Sequence, residues 1–213
     1  MLNRSWFFML FLVSIIIAGC AGVTIHDDLN VPPGKIEGNQ FTGIRYPFRV
    51  EVPQNWKMAT EFPDFLKEMG YEKPGPSEKE VTELYIFNPS TQSSIQIDFT
   101  PASPRAKFSQ EKMEAITTAA TGSFKEELEQ EHGKDIRTQI GPTTPFALKG
   151  VPFAAKKYAT YTLQGVKREQ GWIYGFTEPY QIFVLYMILE KEEASDRQEL
   201  NKILESFVFH STK

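Results

Sequence analysis

Three successive segments, Phe153 to Leu163, Val166 to Phe176 and Tyr180 to Leu189, are rich in aromatic and β-branched residues, with only Gln164-Gly165 and then a short break around Glu178-Pro179 between them. Long runs of that composition joined by breaks this short fold as an antiparallel meander. Any architecture for this chain is therefore built around a sheet. Tyr180 to Leu189 is almost continuously apolar, which predicts an interior strand covered on both faces.

The remaining elements can be placed around that meander. Phe48-Arg49-Val50-Glu51-Val52 alternates apolar and charged residues and is closed by Pro53, the pattern of a half-buried strand. Val81 to Asn88 and Ser94 to Thr100 form a second hairpin across Pro89-Ser90-Thr91-Gln92, with Ile95, Ile97 and Phe99 on one face. A helix is expected from Ser109, an N-cap with Glu111 in the first turn, through Met113, Ile116, Ala120, Phe124 and Leu128 to Gly133. Gly122 lies inside it and predicts a kink or a break. A closing helix starts at Ser195-Asp196-Arg197-Gln198, a capping box, and carries Leu200, Ile203, Leu204 and Phe207 on one stripe. With 41% hydrophobic and 13% aromatic residues, 17 of them Phe, the chain has ample material for one core. The expected fold class is α+β, an antiparallel sheet flanked by helices, in a single domain spanning residues 40–213.

Tyr46-Pro47-Phe48-Arg49-Val50-Glu51-Val52-Pro53 with Trp56, Lys149-Gly150-Val151-Pro152 before a strand, and Ile203-Leu204-Glu205-Ser206-Phe207 at the end resemble the PsbP/DcrB-like superfamily. The resemblance covers most of residues 40–210 and rests on short structural motifs. It implies an α/β sandwich and a non-catalytic role, since DcrB-type proteins are envelope lipoproteins and PsbP is an extrinsic photosystem subunit.

The N-terminus carries its own instruction. Arg4 is followed by an apolar run from Trp6 to Ile17, interrupted only by Ser14, and then by Ala18-Gly19-Cys20. This is a secretion signal over residues 1–19. Ile17-Ala18-Gly19-Cys20 resembles the lipobox of bacterial lipoproteins, and Cys20 is the one cysteine in the chain. As an uncleaved anchor the run would span about 20 Å against roughly 30 Å of hydrocarbon, which is too short. Lipidation of Cys20 leaves the folded body without a thiol, so disulfides, Cys nucleophiles and Cys-ligated metals are excluded. Acyl chains at about 0.8 kcal/mol per buried CH₂ hold such a protein at the membrane without inserting any of its folded chain. Ala21, rather than Asp, follows the cysteine; by resemblance to the enterobacterial sorting rule this points to the periplasmic face of the outer membrane in a diderm cell. Residues 20–39, with Asp27, Asp28, Pro32, Pro33, Gly34 and Gly38, are expected to form a lipidated flexible tether.

Nothing in the sequence specifies catalysis. There is no G-x-S-x-G, H-E-x-x-H, Walker loop or dinucleotide glycine pattern, and the three histidines, His26, His132 and His210, fall in the tether, at a helix end and near the C-terminus. No catalytic residue, metal site or cofactor is expected. His26-Asp27-Asp28 is read as solvated linker, and Glu126, Glu127, Glu129, Glu131 and Asp135 beside His132 as a solvated helix end without EF-hand spacing. The formal charge is −4, with 23 basic residues scattered among 27 acidic ones, so a concentrated nucleic-acid-binding face is not expected.

Aromatic residues are the remaining candidates. Trp172, Tyr174 and Phe176 alternate on one strand, beside Tyr158 and Tyr161 on the strand before it, and could stack on a ligand or partner or fill the core. Phe62, Phe65 and Tyr71 lie in a segment bounded by Pro63 and Lys73-Pro74-Gly75-Pro76, either an interaction loop or a packed lid. The leading expectation is a membrane-anchored, non-catalytic envelope lipoprotein that binds or scaffolds another envelope protein. A small-ligand or metal-binding lipoprotein needs a concave site with convergent polar groups. A carboxylate-based hydrolase needs two carboxylates held together at a cleft.

Overall fold

The meander forms as expected, and its turns show why. A computed structural model of the chain describes residues 30–68, 81–103, 105–134, 136–190 and 196–210. Strands β9 (Phe153–Leu163) and β10 (Val166–Thr177) are joined by Gln164-Gly165, whose φ values of 52° and 78° are both positive, as a type I′ hairpin turn demands. Strand β10 pairs in turn with β11 (Tyr180–Glu190), in register from Thr177↔Tyr180 to Lys167↔Glu190.

The first part of the chain supplies β1 (Gly34–Glu37), β2 (Gln40–Gly43), β3 (Phe48–Glu51), β4 (Lys57–Ala59), the short helix α1 (Asp64–Glu68), β5 (Val81–Phe87) and β6 (Ser94–Pro101). Helix α2 (Gln110–His132) and the short strands β7 (Thr138–Ile140) and β8 (Thr144–Pro145) precede the meander. Helix α3 (Asp196–Ser206) and β12 (Val208–Phe209) follow it. The larger sheet runs β4-β5-β6-β11-β10-β9-β7, with β8 also paired to β9, and the smaller runs β1-β2-β3-β12; every strand pairing is antiparallel.

One face of the large sheet packs against the small sheet and α3. Ile95, Ile97 and Phe99 of β6 and Ile182, Val184, Tyr186 and Ile188 of β11 meet Phe41, Phe48, Val50, Leu200, Ile203 and Phe207 there. Phe99, 1% exposed, is the centre of this layer. Its ring centre lies 4.6 Å from that of Tyr46 in the turn before β3, 4.9 Å from Phe48 of β3 and 6.1 Å from Phe209 of β12. The opposite face of the large sheet carries α2, whose Ala120, Phe124 and Leu128 pack on Ala159, Tyr161 and Trp172.

Helix α2 has the expected ends. Ser109 accepts a hydrogen bond from the Lys112 amide, and Gly133, at φ 91°, donates its amide to Glu129. Gly122 neither kinks nor breaks it: the helix runs through, and a Cβ placed there would meet nothing within 4 Å. Among the described residues no helix is long and apolar enough to cross a membrane.

Two expectations need correcting. The segment expected to be tether up to residue 39 already belongs to the folded body, because β1 lies within it. Arg45 donates through Nε and Nη2 to the Val31 carbonyl at 2.9 and 2.6 Å, and the Ile44 and Arg45 amides donate to the Pro33 carbonyl. These bonds fasten the chain from Val31 onward, and Gly38 at φ 61° makes the tight turn into β2. Strand β11 is interior, between β6 and β10, but its outer face is only partly covered: α2 lies over β9 and β10 and leaves Phe183 and Leu185 half-buried. Residues 1–29, including the leader, Cys20 and His26, lie outside the described residues, as do Tyr71 and Ser195.

Two substitutions test this packing. Gly122→Ala is expected to raise the stability of the domain by up to about 1 kcal/mol, read as a higher urea midpoint at unchanged slope. Phe99→Ala should cost about 3–5 kcal/mol by the same measurement, since it empties the point where the two sheets meet.

Candidate functional site

The outer face of the large sheet brings the two aromatic groups singled out in the sequence to the edges of one strip. Side chains on this face alternate with those of the core: Tyr174 pairs with Phe183 and Phe183 with Asp98, while Trp172 pairs with Leu185, Leu185 with Gln96, and Gln96 with Tyr85. Helix α2 closes one side of the strip. On the other side Phe62 meets Tyr85 edge-on at 5.8 Å and Phe65 stacks on Phe87 at 4.5 Å, so both are half-buried lid residues packed against β5.

Trp172 is not available to a partner. It is 3% exposed, and its indole Nε1 donates to the Thr117 carbonyl of α2 at 2.9 Å. It belongs to the core beneath α2, as does Tyr161, which packs near Phe124 at 6.2 Å. Tyr174, two residues on, remains half-buried, with Phe183 at 4.7 Å. Phe176 stacks on Phe108 at 4.0 Å. Among the described residues the half-covered part of the strip is thus Tyr174, Phe183 and Leu185, which pack against the cluster beneath α2, with Gln96 and buried Asp98 beside them. Gln96 Nε2 lies 3.2 and 3.0 Å from the two Asp98 oxygens. Burial raises the Tyr85 hydroxyl above its ordinary range, and the Asp98 charge adds to the shift.

A second constellation lies on the inner face, and sequence reasoning did not single it out. Glu169 of β10, 3% exposed, receives both terminal nitrogens of Arg197 at 3.0 and 2.7 Å and the Tyr186 hydroxyl at 3.1 Å. Tyr186 reaches it by leaning across Gly171, where a Cβ would lie 2.2 Å from the ring. Burial first, then Glu169, pushes the Tyr186 hydroxyl far above the usual tyrosine range. Lys156 of β9 completes the group, its ammonium 4.8 Å from the centre of the Tyr186 ring and 5.5 Å from that of Phe146. Burial lowers the Lys156 pKa; Glu169 opposes the shift and Arg197 adds to it. The sequence signal that could have pointed here is Gly171, a glycine inside a long strand, which marks close approach by another group.

Other buried polar groups fix α3. Asp196 accepts from Ser93 Oγ at 2.6 Å and Asn88 Nδ2 at 3.2 Å, and Glu199 accepts from the Trp56 indole at 2.7 Å and from Asn55 at 2.9 Å. In the acidic end of α2, Glu129 faces Lys125 at 3.7 Å. Among the described residues no three His, Cys, Asp or Glu side chains gather where they could hold a metal ion.

No family model and no curated protein sequence matches the chain. Solved structures do. The solution structure of cyanobacterial PsbP (CyanoP) from Synechocystis sp. PCC 6803 aligns with a TM-score of 0.52 at 8% identity, covering 91% of this chain and 99% of that one. The crystal structure of LpqN, described as involved in cell envelope biogenesis of Mycobacterium tuberculosis, aligns with a TM-score of 0.47 at 12% identity, covering 78% of this chain and 84% of that one. The likeness to CyanoP shows the fold: the chain is a PsbP-like α+β sandwich.

The Lys156 environment makes a prediction about pH. The unfolded chain holds this proton up to the ordinary lysine value of 10.5, whereas the folded chain releases it earlier. The unfolded state therefore binds more protons in that window, and the penalty from Lys156 is relieved as pH rises toward 10.5. Lys156→Met is expected to raise stability at neutral pH and to flatten the rise in stability that Lys156 contributes as pH approaches 10.5. Urea midpoints of both proteins across that range check it.

Proposed function

We propose that the chain is a non-catalytic envelope lipoprotein, acylated on Cys20 after removal of residues 1–19, that holds or recruits another envelope protein through the strip formed by Tyr174, Phe183 and Leu185. In a diderm cell its place is the periplasmic face of the outer membrane. The observation that carries the reading is the uneven cover of the large sheet. Helix α2 covers β9 and β10 and Phe62 and Phe65 cover β5, while among the described residues the aromatic and aliphatic side chains between them stay half-buried. Apolar side chains left open beside polar ones are the composition of a protein-binding surface.

The lone cysteine supports the anchor, since it directly follows Ile17-Ala18-Gly19 and the charged, apolar and small segments of an export signal. The fastening of the chain at Val31 places the start of the folded body about 11 residues after Cys20. Three of the buried carboxylates are engaged in ways that support a non-catalytic role: Glu83 by Arg45 at 2.7 Å, Glu169 by Arg197, and Asp196 by Ser93 and Asn88. Each holds one element to another.

Two measurements test the proposal. Mass spectrometry of the protein from native membranes should find Cys20 as an acylated first residue; an intact leader would overturn the anchor. A photo-crosslinking residue placed at Phe183 should capture one discrete envelope protein, with none captured from the exposed position Lys202 on α3. The Cys20→Ala strain should lose that product. Absence of any Phe183-specific product overturns the partner surface.

A further inference from the structure

Large apolar side chains exposed to solvent are few among the described residues: Ile36 at 40%, Ile44 at 47% and Ile140 at 38%. Ile36 and Ile44 lie on one ribbon, the first in β1 and the second just after β2, close to the point at Val31 where the chain is fastened to the body. Strand β1 is an edge of the small sheet. A cross-strand row of cations starts from the same strand. Lys35 pairs with Thr42, Thr42 with Arg49, Arg49 with Val208, and Val208 bridges to Lys149, so three basic residues fall on one line across the small sheet. All three are exposed, and none of their side chains makes a hydrogen bond or an ion pair among the described residues. The acidic residues of the ribbon, Glu37 and Glu51, share a different row with Gln40, two residues nearer the β1–β2 turn. The ribbon is therefore basic where the chain enters it and acidic at its turn. In a chain whose formal charge is −4, this row is a local concentration of positive charge beside exposed apolar side chains.

We propose that this corner of the small sheet seats on the anionic headgroup layer of the membrane that holds the lipid anchor, with Lys35, Arg49 and Lys149 against the headgroups and Ile36 and Ile44 entering the interface. The inference rests on acylation of Cys20, which brings a bilayer to within about 11 residues of the fastening point at Val31. Each Lys or Arg close to an anionic membrane surface strengthens attachment roughly fivefold, so the row shifts the seated equilibrium on the order of a hundredfold. The isoleucines add apolar contact that a purely electrostatic partner would not use. Backbone groups at the free edge of β1 need water or headgroup oxygens, so the contact stays at the interface and does not reach into hydrocarbon. The small sheet packs on the inner face of the large one, which leaves the outer strip clear of the bilayer.

The test uses full-length protein carrying an environment-sensitive fluorescent amino acid at Ile36, Ile44, Ile140 or Lys202. Each is recovered from membranes, its first residue is read by mass spectrometry, and it is reconstituted into vesicles of phosphatidylcholine alone or mixed with phosphatidylglycerol. The vesicles contain a lipid spin-labelled just below the headgroup as quencher. With the anionic lipid, labels at Ile36 and Ile44 should be quenched several-fold more than those at Ile140 and Lys202. Ile140 is the internal control, since it is exposed to a similar degree but sits on β7, an end of the large sheet. The excess should be lost in neutral vesicles and shrink at high salt. It should also be lost on combining Lys35→Gln, Arg49→Gln and Lys149→Gln, exposed changes that keep a cooperative urea transition. Equal quenching at all four positions in acylated protein overturns the seating, leaves the anchor standing and assigns the corner to a protein partner. An excess that persists in neutral vesicles or in the triple variant overturns the basic row as its cause. A first residue without acyl chains overturns the anchor, and the seating with it.

Discussion

The aromatic contact between the two sheets organises everything else in this molecule. Phe99 projects from β6 into a ring of Tyr46, Phe48, Tyr180 and Phe209, drawn from β3, β11, β12 and the turn before β3. The small sheet has short strands, four residues in β1, β2 and β3 and two in β12, and a sheet of that size has little stability alone. Burial of these rings gives it a reason to close over the large sheet. Gly150, at φ 83°, lets the turn before β9 approach the Phe209 carbonyl so closely that a Cβ would lie 2.0 Å from it. That approach seals the end of the same layer.

Helix α3 shows how polar groups refine what apolar burial begins. Leu200, Ile203 and Leu204 place it against the inner layer without choosing a unique position along its axis. Three charged residues near its start supply that choice, each with a different target: Asp196 the β5–β6 turn, Arg197 β10, and Glu199 the indole of Trp56 just after β3. Hydrogen bonds with ionised partners in low-dielectric surroundings are strong and directional, and leaving one partner behind is costly. The cluster around Glu169 therefore serves the fold first.

The two faces of the large sheet thus offer different chemistry. The outer face carries a half-covered apolar strip, and the inner margin a polar cluster of Glu169, Arg197, Tyr186 and Lys156. A PsbP-like sandwich carries both without altering its core, since fold and function are specified by different residues.

The sequence by itself determined the local elements. Two-residue breaks in the meander, the alternation in Phe48-Arg49-Val50-Glu51, the Ser109 cap and the Gly133 stop each act within a few residues, where backbone geometry and side-chain periodicity decide. It also set Phe62 and Phe65 in a proline-bounded segment and the β10 aromatics in alternation along one strand. Only the tertiary structure decided which of them stay open. Trp172 and Tyr174 share one face of one strand, yet Trp172 is buried beneath α2 whereas Tyr174, packed against the same cluster, stays half-buried. The early start of the body at Val31, set by the side chain of Arg45, and the meeting of Lys156, Glu169, Tyr186 and Arg197 were equally out of reach. They join residues distant along the chain, and no local periodicity encodes which strands will lie side by side.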